Sequence, residues 1–362
     1  MNSKLIAACS ALAISSNAFA TIELNENLTL SGFGSTSWTK SDNKTPLIIN
    51  RNIVDEACWD CDTTFGLQLD YFQDAFKASA QVVKRPQDKW RNPEVEWVYL
   101  GYSFGDVEAR VGRLRMPVFL ASEYFYVGHA YQSARPPEEV YNSILGITAY
   151  NGANLVWNFD LYDEYQMSVT PFIAFDDDNT LEVSNSFDVE INVKDILGIN
   201  ATLAGDYFRW NLTYFDAEYD QKFIIRNVAP TIPLLVLDQP DRRFELYSLG
   251  AEYELGAWTL TAERQLGNVR STWYAMAAYR INKLSPYILY GETKTKRTDI
   301  TDFDGKSGSS LVTGLRYDLR HNLSINLEWQ QFKSFGNQRG SFTTTPQEPD
   351  AKTYTLMFNF VF

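Results

Sequence analysis

The last nine residues of the chain alternate between apolar and polar side chains. Every second position is apolar, and these positions hold Tyr354, Leu356, Phe358, Phe360 and Phe362. Successive side chains of a β-strand point to opposite faces, so these five residues form one face, while Thr355 and Asn359 lie on the other. The pattern predicts a strand with one aromatic face and one polar face.

The same period of two recurs along most of the chain. In the segment 64–71, for example, Phe65, Leu67 and Leu69 share one face and Asp70 lies on the other. A helix would instead repeat its apolar positions every three or four residues. The alternation predicts about sixteen strands, at 29–40, 63–72, 75–85, 94–104, 107–113, 143–161, 166–175, 197–208, 210–219, 244–255, 258–266, 272–281, 285–295, 309–320, 323–333 and 352–362.

The links between these segments are short and long in turn. Gly105-Asp106 suits a two-residue hairpin turn, and similar short links stand at 256–257 and 321–322. Longer polar stretches join the other strand ends, and the longest runs from about 114 to 142. An even number of strands, with the short turns on one side, is typical of a closed antiparallel barrel made by one chain.

The two faces of these strands indicate a barrel in a membrane. An aromatic, apolar face suits lipid outside, and a polar face suits water inside. The mean hydropathy of −0.28 fits this arrangement, because a barrel needs only every second strand residue to be apolar. No apolar run after residue 20 is long enough for a spanning helix. We therefore predict an all-β fold, a transmembrane antiparallel β-barrel of about sixteen strands, formed as one domain by residues 21–362.

Residues 1–20 have the features of a secretory signal peptide. Lys4 precedes an apolar run at 5–14, and the segment ends with small residues up to Ala20. This order predicts export and cleavage after Ala20, which would bring the mature chain through the periplasm to the cell outer membrane. A lipoprotein signal ending at Cys9 is the alternative, but eight residues are too few for its charged and apolar regions.

The chain is acidic, with a formal net charge of −13. Loss of residues 1–20 removes one lysine and no acidic residue, which leaves 31 basic and 45 acidic side chains and a net charge of −14. A nucleic-acid-binding protein needs a basic surface, so we expect no nucleic-acid partner.

Two parts of the sequence resemble a known family. Residues from Val111 to Tyr141 are similar to the segment after the fifth strand of gammaproteobacterial general porins, and residues 313–319 and 327–329 resemble their penultimate hairpin. The resemblance implies a Gram-negative outer-membrane porin, which is a water-filled channel for passive diffusion of small hydrophilic solutes and ions. It also implies a long third loop folded into the lumen, a homotrimer, and the absence of any cofactor.

The C-terminal strand carries a second consequence of this resemblance. The barrel-assembly machinery of such bacteria recognises a terminal aromatic strand, and the corresponding residues here are Tyr354, Phe358, Phe360 and Phe362. The implied partners are therefore this machinery and the lipid bilayer of the outer membrane.

A narrow part of the channel is expected where the third loop meets the wall. Alternation points Glu108 and Arg110 into the lumen, whereas Arg113 and Arg115 would point outward unless a bulge near Gly112 turns them or they lie at the rim. The constriction candidates are Arg110, Arg113, Arg115, Glu123, Glu138 and Glu139. These charges could create a transverse field across the pore, or they could pair with one another and fix the loop to the wall.

Alternation also indicates which other polar residues face the lumen. These lining candidates are Lys77, Gln81, Glu96, Glu108, Arg280, Arg316, Asp318 and Glu328. We expect them to provide a hydrophilic surface, because a water-filled barrel has a polar inner wall.

The mature chain has two cysteines, Cys58 and Cys61, in an acidic loop between predicted strands. In the oxidising cell envelope this spacing predicts one small disulfide that stiffens the loop. A metal site is disfavoured, because no other sulfur or histidine is nearby in the sequence.

Other functions remain as alternatives. A substrate-selective outer-membrane channel, specific for sugars or anions, is the alternative within transport, because tyrosines could provide stacking surfaces for sugars. A barrel enzyme is disfavoured because His129 and His321 are the only histidines and neither belongs to a catalytic grouping. A purely structural or adhesive barrel does not account for an inward loop.

Overall fold

The computed structural model describes residues 21–49, 51–86, 93–144, 148–162, 164–184, 187–229, 232–298 and 301–362. The predicted signal peptide, residues 1–20, lies outside the described residues. No helix in the described ranges has the length and apolarity needed to cross a membrane.

Eighteen strands form one continuous antiparallel sheet. Their bounds are β1 Ile22–Asn25, β2 Leu28–Ser41, β3 Thr64–Gln73, β4 Phe76–Lys84, β5 Glu94–Phe104, β6 Val107–Arg115, β7 Ala149–Leu161, β8 Tyr165–Ala174, β9 Asp177–Ser184, β10 Phe187–Gly205, β11 Phe208–Ala229, β12 Ile232–Leu255, β13 Trp258–Gly267, β14 Arg270–Tyr279, β15 Leu284–Thr295, β16 Gly305–Arg320, β17 Leu323–Ser334 and β18 Asp350–Val361.

The sheet closes on itself, because β18 pairs with β2 in the register Leu356↔Trp38. Two of the eighteen strands add no new position to the ring. β1 pairs with the start of β2. β9 pairs with the first half of β10 and β8 with its second half, so β8 and β9 together occupy one position beside β10. The ring therefore has sixteen strand positions, which confirms the predicted antiparallel barrel.

The two faces of β3 show how the sequence pattern builds this wall. Phe65, Leu67 and Leu69 are each about two-fifths exposed, at 41%, 40% and 41%, and point outward. On the inner face, Asp70 accepts hydrogen bonds from Gln68 at 2.7 Å and from Ser79 of β4 at 2.6 Å. The alternation of apolar and polar residues thus separates a lipid-facing surface from a hydrogen-bonded inner surface.

Three strands extend well beyond their predicted ends. β10, β11 and β12 continue as paired strands through 187–196, 220–229 and 232–243, which the sequence pattern indicates as loops. The register shifts between Val193 and Asp195 and between Tyr219 and Gln221. Each bulge moves the apolar positions by one residue, so the period of two is broken there and hides the extension.

The predicted strand 143–161 begins later than expected. Ser143 and Ile144 are buried in the preceding segment, and β7 starts only at Ala149. The alternation continues across this boundary, but Ser143 and Ile144 lie outside the strands of the sheet, and the hydroxyl of Ser143 donates to Gln265 of β13.

The C-terminal residue completes the closure of the ring. The backbone N–H of Phe362 donates to the carbonyl of Gly32, and the N–H of Gly32 donates to the carbonyl of Phe362, both at 2.8 Å. The ring of Phe362 lies over Gly32, where a Cβ would come within 2.3 Å of it. Glycine at this position therefore makes room for the terminal aromatic side chain.

We predict that deletion of Phe362 reduces barrel assembly in the outer membrane several-fold. The deletion removes both closing hydrogen bonds and the terminal aromatic ring. The measurement is the amount of heat-modifiable protein in the outer-membrane fraction, with Phe362→Tyr as the control that keeps the aromatic ring. A normal amount of heat-modifiable barrel in the deletion variant would refute this role of the last strand.

Candidate functional site

A long segment between β6 and β7 crosses the interior of the barrel. We call residues 116–144 the inner segment. Its backbone carbonyl at Val118 accepts from Asn211 of β11 at 3.1 Å, and the N–H of Leu120 donates to Glu263 of β13 at 2.6 Å. The carbonyl of Gln132 accepts from Asn326 of β17 at 2.7 Å. β11, β13 and β17 are spread around the ring, so the segment reaches several distant parts of the wall.

The inner segment has its own apolar core. It contains a short helix, α1 Glu138–Tyr141, and the 3₁₀ turns Ser122–Tyr124 and Gly128–Ala130. The rings of Phe119 and Tyr141 stack with their centres 4.4 Å apart. Val118, Val140 and several wall residues are buried in the same cluster. Apolar packing therefore fills part of the lumen and excludes water from it.

A buried carboxylate fixes the inner segment to the wall near β2. Asp62 accepts hydrogen bonds from Arg135 Nε at 2.8 Å and Nη2 at 2.6 Å, and from Arg51 at 2.7 Å. The hydroxyl of Ser37 donates to the same group at 2.6 Å. Burial raises the pKa of Asp62, but the two guanidinium groups lower it by more, so its pKa lies well below the usual range. Asp62 is therefore ionised and forms the charge-assisted hydrogen bonds that bind Arg135.

Two charged residues of β16 and β17, which are separated from β2 in the ring by β18, hold the inner segment next to Arg135. Glu328 of β17 accepts from the N–H of Ala134 at 3.0 Å and from the hydroxyl of Tyr287 at 2.8 Å. Arg316 of β16 donates to the carbonyls of His129, at 2.8 Å, and Tyr131. Both residues were expected to line the lumen, and both are instead covered by the inner segment.

The inner segment reaches the rim where the short turns lie. Nε2 of His129 is 3.0 Å from the carbonyl of His321, in the turn between β16 and β17, and Nδ1 is 3.1 Å from the hydroxyl of Ser324. A carbonyl only accepts, so Nε2 carries the proton and Nδ1 accepts from Ser324. Burial lowers the pKa of His129, and nearby Arg316 lowers it further, which favours this neutral form.

Gly128, the residue before His129, lies equally close to the wall. A Cβ on Gly128 would come within 2.3 Å of the hydroxyl of Ser35 and 2.4 Å of the amide oxygen of Asn359. Only glycine allows the backbone of the inner segment to approach β2 and β18 at this distance.

The two acidic residues of α1 are buried. Burial raises the pKa of Glu138 from 4.5 to about 7, although Arg51 and Arg135 act in the opposite direction. Burial also raises the pKa of Glu139. The side-chain amide of Asn142, one turn later, donates to the carboxyl group of Glu138. The structure thus places both residues between the inner segment and the wall.

A group of charged residues lies on the inner faces of β4 and β6. Arg110 donates to Glu108 at 2.7 and 3.1 Å and lies over the ring of Tyr99, 5.5 Å from its centre. Lys77 lies over the same ring at 5.6 Å. Glu123 of the inner segment is exposed and close enough to Arg110 for electrostatic attraction.

Arg115 points into the barrel, whereas strict alternation along β6 would point it outward. It donates to Glu96 at 2.9 Å and to Gln81 at 3.3 Å, and all three side chains are buried. The register between β4 and β5 shifts after Gln81, which leaves both Glu96 and Trp97 buried on the inner side. A bulge in the neighbouring strand thus provides the acidic partner that Arg115 binds.

The remaining candidates lie near the rims. Arg113 pairs across strands with the exposed Val98, so it shares the outward face, and it donates to Asp177 at 3.0 Å. Arg280 follows the end of β14 and is exposed at the short-turn rim. Asp318 accepts from Arg316 at 2.8 Å. Cys58 and Cys61 are joined by a disulfide in the loop before β3.

Sequence reasoning missed three residues of this interior. Asp62 looked like one of several acidic loop residues, and its position immediately before β3 was the only local signal. Glu263 shares the inner face of β13 with Thr261 and Gln265, so alternation could have identified it. Arg209, which donates to Tyr124 at 2.7 Å, starts a strand whose polar face is evident only when the partner is known.

Comparison with solved structures supports the fold. Salmonella typhi OmpF, in a complex with daunomycin, is 12% identical and has a TM-score of 0.64, with 94% of this chain and 100% of that chain covered. The trimer form of Vibrio cholerae OmpT is 11% identical, with a TM-score of 0.62 and coverage of 92% and 99%. The anion-selective porin from Comamonas acidovorans is 12% identical, with a TM-score of 0.59 and coverage of 92% and 99%.

No curated protein sequence matches the chain at a significant level. The sequence does match the Gram-negative porin family over residues 6–337, which is nearly its whole length. With the closed sixteen-position barrel described above, this match shows that the chain belongs to the Gram-negative porin family and is an outer-membrane channel for passive diffusion.

Proposed function

We propose that small hydrophilic solutes and ions pass through a water-filled pore between the inner segment and the wall formed by β3–β6. The observation that carries this proposal is the pair of charged surfaces at this place. Lys77 and Arg110 are on the wall, and the exposed Glu123 is on the inner segment. Elsewhere the inner segment is packed against the barrel, and this includes contacts of Tyr126 with Val83 of β4 and Arg115 of β6. The proposed pore therefore lies beside Lys77 and Arg110, nearer the short turns.

Charges of opposite sign on two sides of a narrow opening sort solutes by charge and dipole. Glu108 offsets part of the positive charge of Arg110, because the two groups are in direct contact. Lys77 and Arg110 therefore leave a modest positive excess on the wall. We infer that this excess acts on ions only at short range, since exposed charges are screened over about 10 Å in ordinary salt.

The assembled form follows from the family and the sequence. We propose that residues 1–20 direct export, that the barrel-assembly machinery inserts the mature chain, and that three copies associate in the outer membrane. The trimer form of a structurally similar protein supports the last point. We propose no catalytic activity, because His129 contacts Ser324 through Nδ1 but has a backbone carbonyl, and not a carboxylate, at Nε2.

The first test is planar-bilayer conductance of the purified protein under a salt gradient. We expect ohmic steps that arrive in threes, because three pores would insert together. A protein that inserts but gives no steps, or very small steps blocked by particular sugars, would contradict a general diffusion pore.

Replacement of Arg110 should shift ion preference toward cations. We predict that Arg110→Gln changes the permeability ratio by roughly two- to fivefold, since a unit charge at 4–8 Å in water contributes about 0.5–1 kcal/mol. The measurement is the reversal potential under a salt gradient. Arg113→Gln is the matched control, because Arg113 shares the outward face with Val98 and should change the potential much less. Equal shifts in the two variants would place Arg110 outside the permeation path.

The stability of the barrel should depend on Glu138. Its pKa rises from 4.5 to about 7 on folding, so the folded chain holds a proton that the unfolded chain has lost in this interval. Stability from this group is therefore full below pH 4.5 and is lost as pH rises through about 7.

We predict that Glu138→Gln unfolds at a higher temperature than the unmodified chain at about pH 8 and at nearly the same temperature at about pH 4, since the amide does not ionise. The measurement is thermal unfolding in detergent at both pH values. Glu123→Gln, which changes an exposed carboxyl group of the same segment, is the control. An identical difference at both pH values would show that Glu138 does not ionise in this interval.

A further inference from the structure

The first outside loop, residues 42–63, supplies the carboxylate that holds the inner segment on one side of the barrel. Asp62 of this loop binds Arg135 through two hydrogen bonds. Nη2 of Arg135 also donates to the hydroxyl of Thr39 on β2 at 2.8 Å. Asp62 and Thr39 together therefore form the docking point for Arg135.

A disulfide stands immediately before this docking point. Cys58 and Cys61 are bonded, and Asp62 follows Cys61 directly in the chain. The backbone of Cys58 pairs with Thr39 through two hydrogen bonds, with lengths of 2.9 and 2.8 Å. Asp62 is therefore linked, through Cys61 and the disulfide, to Cys58, which is paired with Thr39. The disulfide thus connects the two residues of the docking point.

The rest of the loop has separate support. Leu47, Ile48 and Ile53 are fully buried in a cluster with Phe332 and Phe342. Cys61 packs against this cluster and the backbone of Cys58 is paired with Thr39, so packing and hydrogen bonds remain at both cysteines after reduction. Reduction removes the covalent bond between Cys58 and Cys61, the residue directly before Asp62.

We propose that the Cys58–Cys61 disulfide positions Asp62, and through Asp62 the inner segment, so that passage through the pore is sensitive to reduction. This inference rests on the proposed pore beside the inner segment. Asp62 is the positioning residue, because it acts on the pore only through Arg135.

The chemistry requires a reductant that reaches the loop. Trp59, between the two cysteines, is 68% exposed, and Asp60 is also exposed. A small dithiol breaks the sulfur–sulfur bond and supplies two electrons and two protons, which convert the cysteines to two thiols. The dithiol itself becomes a disulfide. Loss of this cross-link removes a restraint on the position of Cys61 and therefore on that of Asp62.

The test is single-channel recording of the full-length mature protein before and after addition of dithiothreitol to the side of the long loops. Thiol labelling and mass measurement report how much of the disulfide is reduced. We expect a several-fold increase in brief closures and open-channel noise after reduction, and recovery after reoxidation. Fully reduced protein with unchanged closures and noise would overturn the proposal. Absence of any conductance before reduction would instead refute the proposed pore.

A variant that removes the carboxylate separates positioning from a general loosening of the barrel. Asp62→Asn should show frequent closures without reductant, and reduction should then add little, because both changes remove the same contact. An additive increase in the reduced Asp62→Asn protein would show that the disulfide acts by another route.

The double variant Cys58→Ser/Cys61→Ser should behave like the reduced protein and should not respond to dithiothreitol. Glu56→Gln, which changes an exposed residue of the same loop, should respond like the unmodified chain. Heat-modifiable migration confirms that each variant contains a folded barrel.

Discussion

The structure depends on the requirement that a backbone in lipid must find all its hydrogen-bond partners within the protein. An open sheet would leave two strand edges unpaired in the hydrocarbon, so β18 has to return to β2. The last residue takes part in this closure, since Phe362 and Gly32 exchange two backbone hydrogen bonds. The closed wall surrounds a lumen. The inner segment determines how much of this lumen remains open to water.

The inner segment is stabilised by a combination of apolar packing and buried ion pairs. The apolar core around Phe119 and Tyr141 favours burial of the segment but does not fix its orientation, because such contacts are not directional. Orientation comes from charged groups, above all Asp62 with Arg135 and Glu328 with Ala134. Loss of one member of such a buried pair costs about 3–5 kcal/mol, because its partner is left buried and uncompensated. These several attachments explain how the inner segment keeps a defined path although its described part contains only short helical turns.

The sequence predicted the wall well and the interior poorly, for a physical reason. The face of each strand depends on its own alternation, so β3 could be assigned from residues 64–71 alone. Bulges at Val193 and Tyr219 interrupt this local rule, and the long ends of β10, β11 and β12 were therefore missed. Partners inside the lumen are set by the three-dimensional path of the chain. Asp62 and Arg135 are 73 residues apart, and no local pattern in either segment indicates the other.

The contact between His129 and the turn at His321 also affects how the inner segment can move. The segment leaves the wall at the rim of the long loops and is tied again at the rim of the short turns. A loop attached only at its base could move as a whole, whereas a segment attached at both rims is restrained at two points. Displacement of one attachment is then transmitted along the segment, and loss of one attachment frees only the part of the segment next to it. A force on the rim of the long loops is therefore connected, through covalent chain and paired side chains, to the rim of the short turns.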